Sequence, residues 1–119
     1  MPYNFSAVYS IIDIETTGGS PVSEKITEIA IYVYDGKTVV DEFVTLINPE
    51  KKIPYYITQL TGISNSMVAE APKFYEVAKK IIEITEQTIF VAHNVNFDYS
   101  FIKQEFKNLG YVYERDKIC

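Results

Sequence analysis

A chain of 119 residues is one domain at most, and with 47% apolar and 23% charged side chains it reads as a soluble globular one, able to bury roughly two-thirds of its unfolded surface. Its net charge of −5 argues against a broad, phosphate-neutralising grip on nucleic acid, which needs a basic stripe. An enzyme that holds only one strand end, with bound cations, stays open. The single cysteine, Cys119, excludes an internal disulfide and fits a reducing compartment. No apolar stretch approaches the ~18 residues of a bilayer span, and the N-terminal Met-Pro-Tyr-Asn-Phe lacks a signal pattern. The expected location is the cytoplasm, with no membrane partner.

In chain order, Val8 to Ile14 predicts a buried strand, stopped by the loop formers Thr16 to Pro21. Ile26 to Tyr34 alternates, with Ile29, Ile31 and Val33 on one face. Asp35-Gly36 then predicts a two-residue hairpin turn into a strand over Thr38 to Ile47. Lys51 to Ser66 predicts a short helix and a turn. Pro72, at a favourable first helical position, opens a helix with Phe74, Val77, Ala78, Ile81 and Ile82 on its apolar face. Thr88 to Ala92 predicts a short buried strand, and the last helix turns Phe97, Phe101, Ile102, Phe106 and Leu109 inward, with Gly110 as its C-cap. This order implies an α/β fold, a mixed sheet with helices packed on it.

Asp13 and Glu15 stand two residues apart on the first strand, so they project to one face, their backbones about 6.6 Å apart. At that distance two charges repel by roughly 2.5 kcal/mol at an effective dielectric near 20. Alone, such a pair is common and simply faces water. Asp98 tips the balance: the short strand before it carries the start of its helix to the sheet edge where the first strand ends. Three carboxylates would converge on an oxygen-only site suited to Mg²⁺ or Mn²⁺.

Asp13-Ile14-Glu15-Thr16-Thr17-Gly18 and His93-Asn94-Val95-Asn96-Phe97-Asp98 resemble the D-x-E-T-T-G and H-N-x-x-F-D signatures of the DnaQ-like DEDD family of 3′–5′ exonucleases, in its DEDDh branch. Between them, Ile26-Thr27-Glu28-Ile29, Asn48-Pro49, Leu60-Thr61-Gly62-Ile63 and Ala71-Pro72 with Phe74, Glu76 and Val77 fall where the family has similar segments. The resemblance runs from Tyr9 to the end of the chain. It implies an RNase H-like fold and stepwise removal of nucleotides from the 3′ end of DNA or RNA with two bound Mg²⁺ or Mn²⁺ ions. Asp13 would bridge the two ions, Glu15 would complete the first shell and Asp98 would serve the second. Thr16, Thr17, Thr61 and Phe97 would approach the substrate, and Leu60 or Ile63 would pack on a base. For Phe97, core packing is the competing role.

The implied partners are the 3′ end of a single strand and, for a proofreading enzyme, a DNA polymerase. His93 would be a structural, positioning residue at the end of the short β-strand, since the family's catalytic histidine lies further along the chain. By this resemblance residues 1–119 are an incomplete exonuclease domain. The final strand and the helix carrying the catalytic histidine and the fourth carboxylate would lie beyond Cys119, and the faces they leave bare would favour self-association. The competing reading is a module of the same fold that binds metal, single strands or a polymerase without cleaving.

Overall fold

The computed structural model describes residues 7–119; the N-terminal pattern read above lies outside the described residues. Five strands form one mixed sheet: β1 (Tyr9–Thr16), β2 (Ile26–Tyr34), β3 (Val39–Leu46), β4 (Ile89–Val91) and β5 (Lys117–Ile118), in the order β3-β2-β1-β4-β5. The first three run as an antiparallel meander, and β4 and β5 add in parallel beyond β1. Parallel neighbours need a crossover, and α3 (Phe74–Thr85) and α4 (Val95–Asn108) supply the helices on either side of β4. Two short helices, α1 (Tyr55–Thr61) and α2 (Asn65–Val68), precede them. Only α1 was expected; α2 is a single turn too short to show a periodicity. Among the described residues no helix is long and apolar enough to cross a membrane.

One face of the sheet carries the core. Ile12 and Ile14 of β1, Ile29, Ile31 and Val33 of β2, and Phe90 of β4 bury against Ile81, Ile84, Phe101, Ile102 and Phe106. Tyr113 joins them at 0% exposure, stacked on Phe106 with ring centroids 4.8 Å apart, its hydroxyl 2.8 Å from that of Thr85. Glu105, also buried, locks α4 to the start of β2. One carboxylate oxygen accepts from the Ile26 N–H at 3.1 Å, and the other pairs with Lys25 at 2.9 Å. α1 and α2 sit instead on a second cluster of their own, built from Ile53, Ile57, Ile63 and Val68.

Several sequence expectations change in detail. β1 is not interior on both faces: Ile11 and Asp13 are exposed, because no element covers that side of the strand. The hairpin tip is Gly36-Lys37 rather than Asp35-Gly36. Asp35 donates its N–H to the Thr38 carbonyl at 3.2 Å, and its side chain accepts from the Lys37 and Thr38 amides, while Gly36 takes the positive φ of 98° that the turn requires. Pro72 lies one residue before the α3 N-cap, Lys73. Leu109 is 47% exposed because it is already the C-cap of α4. Gly110 follows with φ 79°, its N–H bonding Lys107 and that of Tyr111 bonding Phe106, which closes a Schellman motif. Lys117 and Ile118 pair in parallel with Phe90 and Val91, a short fifth strand that the chain-order reading above does not include.

Candidate active site

The end of β1 delivers the carboxylate pair. Asp13 lies opposite Ala30 and is exposed, while Glu15 lies opposite Glu28 and is half-buried. Just beyond Glu15 the register slips, because Glu15 faces Glu28 but Thr16 faces Ile26. Thr27 is the extra residue of this bulge, and its hydroxyl is buried without a partner. The bulge turns Thr16 and Thr17 inward, both under 9% exposed, and ends the pairing where chemistry is expected.

Asp98 sits in the first turn of α4 and is 5% exposed. Burial, and next the negative charge of Asp13, push its carboxyl up from 3.8 to about 6; the backbone at Ile14 and at Asp98 itself, and the His93 imidazole, pull only partly the other way. Glu15 is raised as well, first by burial, then by Asp13, Glu28 and Asp98. The helix start thus does bring Asp98 within electrostatic reach of the β1 pair. Glu28 is a further acid at the site that the sequence reading passed over. Its signal was the period-2 alternation of β2, which puts it on the face opposite Ile29.

His93 is the one cationic group among the described residues that acts on this cluster, and it offsets only part of the rise at Asp98. Among the described residues no Lys or Arg forms an ion pair with Asp13, Glu15 or Asp98. His93, two residues past β4, is exposed and near enough for its charge to act on Asp98. Oxygen donors that repel one another and have no lysine or arginine counter-ion fit a hard divalent cation such as Mg²⁺ or Mn²⁺. The arrangement is open rather than preformed, since among the described residues no three His, Cys, Asp or Glu side chains make a ready metal cage.

Beside the acids lies a cleft of ≈ 340 Å³. Ile14, Glu15, Thr16, Gly18 and Gly19 form one wall, Tyr56, Ile57, Leu60 and Thr61 of α1 the other, and Phe97 closes the end. Of the residues expected to approach substrate, Thr16, Thr61 and Phe97 line it. Thr17 does not. Its side chain is 1% exposed, and its hydroxyl donates to Glu24 at 2.7 Å while accepting from the Lys25 N–H at 2.9 Å, so it shapes the loop from within. Leu60 and Tyr56 are 80% and 68% exposed at the rim, so both present apolar surface to whatever enters the cleft. Ile63, the alternative to Leu60 as a base-packing residue, is buried in the α1–α2 cluster and points away from the cleft.

A family model described as exonuclease, of the RNase T type, matches residues 10–119. The chain belongs to this exonuclease family. It is 45% identical over 106 residues to a PolC-type DNA polymerase III of Caldanaerobacter subterraneus subsp. tengcongensis, covering 89% of the chain and 8% of that protein. It is also 42% identical over 104 residues to the 3′–5′ exonuclease DinG of Bacillus subtilis, covering 87% of the chain and 11% of that protein. This exonuclease domain therefore spans about a tenth of the length of those relatives. Among solved structures, the zinc-bound complex of E. coli exonuclease I with single-stranded DNA superposes with a TM-score of 0.82 at 18% identity, over 94% of the domain and 27% of that chain. Apo exonuclease I gives 0.83 at 17% identity, over 95% and 29%. That likeness establishes the RNase H-like fold.

Proposed function

We propose that this exonuclease domain removes nucleotides from the 3′ end of single-stranded DNA by metal-assisted phosphodiester hydrolysis. The observation that carries the reading is that Asp13, Glu15 and Asp98 act on one another electrostatically, with Glu15 also lining the Thr16–Leu60 cleft. Asp13 would be shared between two cations, with Glu15 on one and Asp98 on the other. Two such ions, when bound, stabilise the attacking and leaving oxygens of a phosphoryl displacement. The protein's own part is positional. Thr16 and Thr61 flank the terminal nucleotide, and Phe97 and Leu60 offer it apolar surface. His93 keeps a structural role just past β4 rather than acting as base. DNA is favoured over RNA because DNA is what the relatives' names and the exonuclease I complex specify. By the same likeness to a PolC-type polymerase, a DNA polymerase is the partner expected of the longer protein.

The test is a single-turnover assay with Mn²⁺ on one oligonucleotide labelled at either end. A 5′ label should appear in a ladder of shortening products and a 3′ label in mononucleotide from the first turnover, both abolished by EDTA. The inverse pattern contradicts the polarity. Intact substrate in the presence of bound Mn²⁺ favours a non-catalytic binding module, a reading supported by the open state of the carboxylate group.

A further inference from the structure

We infer that Glu24 is a positioning residue whose carboxylate clasps the two walls of the nucleotide cleft together, and so sets the domain's affinity for a strand end. Glu24 lines no part of the cleft. One of its oxygens, Oε1, accepts from the Thr17 hydroxyl at 2.7 Å and from Lys51 Nζ at 3.0 Å. Thr17 lies behind one wall, between its lining residues Thr16 and Gly18, and Lys51 lies in the segment that feeds α1, the opposite wall. Lys51 also donates to the Ser23 carbonyl at 3.1 Å, which doubles the tie.

Two further observations support it. A Cβ on Gly18 would lie 2.8 Å from Glu24 Cγ and 2.9 Å from Cδ, so glycine is needed where the Glu24 stem passes across the wall to reach Thr17. The α1 wall rests on the satellite cluster of Ile53, Ile57, Ile63 and Val68 and not on the main core. That cluster meets the sheet through Leu46 of β3 rather than through β1, so polar ties between the loops add to what sets the distance of the α1 wall from β1.

The inference rests on the nucleic-acid reading above, and the experiment separates the two. Binding of a short fluorescein-labelled oligothymidylate in Mn²⁺ is compared for the unaltered chain and for Glu24→Ala and Glu24→Gln. Electrostatics alone predicts that removing an anion beside a polyanion site tightens binding. The clasp predicts the opposite sign: about fivefold weaker binding for Glu24→Ala, at the low end of site-to-site coupling because the tie is partly solvated, with partial rescue in Glu24→Gln, which can still accept from Thr17. Mn²⁺ affinity and thermal midpoint should not move, as they would if Glu24 merely held the fold. Lys51→Met, the second variant, should weaken binding equally with an unchanged salt slope; a slope smaller by about 1 would make Lys51 a phosphate contact and overturn the clasp. Undiminished or tighter binding by Glu24→Ala also overturns it. No binding by the unaltered chain removes the parent reading and this one with it.

Discussion

In the metal-free chain, Asp98→Asn is expected to raise stability by about 2–3 kcal/mol at neutral pH. The native carboxyl is pushed from 3.8 to about 6 by burial and by Asp13, so the folded state holds its proton more tightly than the unfolded state does. With the folded state binding more protons between those two values, stability falls as pH rises through that window, and the loss is complete above it. The amide keeps the shape and has no charge to desolvate, so the variant should be flat over the same range. Urea denaturation near pH 5 and pH 7.5 measures the difference. A divalent cation should reverse the order, because only the ionised carboxylate binds it; at a free concentration about a hundredfold above its dissociation constant the unaltered chain gains roughly 2.7 kcal/mol. Equal stabilities at both pH values would mean that Asp98 is not held against a like charge.

Phe106→Ala is expected to cost about 3–5 kcal/mol, much of the stability of a domain this size. Phe106 is 1% exposed and touches three aromatic rings: Phe74 edge-on at 5.1 Å, Tyr113 stacked at 4.8 Å and Tyr111 at 5.4 Å. Its loss would leave a cavity between α3, α4 and the segment leading to β5, with none of those neighbours free to collapse into it. The thermal midpoint should fall by about 10–20 °C. Because α4 also carries Asp98, Mn²⁺ binding should weaken in the same variant. Leu109→Ala, three residues on and exposed, is the matched control and should stay within about 0.5 kcal/mol.

The contrast between those two residues shows where sequence reading stops. Period and punctuation located every long element: β2 needed only its alternation, and α4 only its stripe and Gly110. The same stripe took in Leu109, because a helical period does not reveal which residue is already the C-cap. Asp13, Glu15 and Asp98 stand out in the sequence for a physical reason, since like charges gathered at one sheet edge call for a cation. Thr17 was misjudged because a threonine beside an active-site motif looks the same in sequence whether its hydroxyl faces the cleft or the loop. Only the bulge at Thr27, which requires knowledge of the β1–β2 register, turns it inward. Glu24 and Tyr113 were silent for a similar reason: each gains its role from a partner far along the chain, at Lys51 and Thr85. The first residues of β5 were missed because two residues carry no pattern at all.

The central claim is that three acids from β1 and α4 make one cation site. Calorimetric titration of Mn²⁺ into the chain and into Asp13→Asn tests it most directly, because Asp13 is exposed and its replacement leaves the core untouched. Saturable binding in the chain that disappears in the variant is the predicted result. Identical heats in the two proteins would contradict it, and would leave the acids as separate, solvated side chains at the end of a strand.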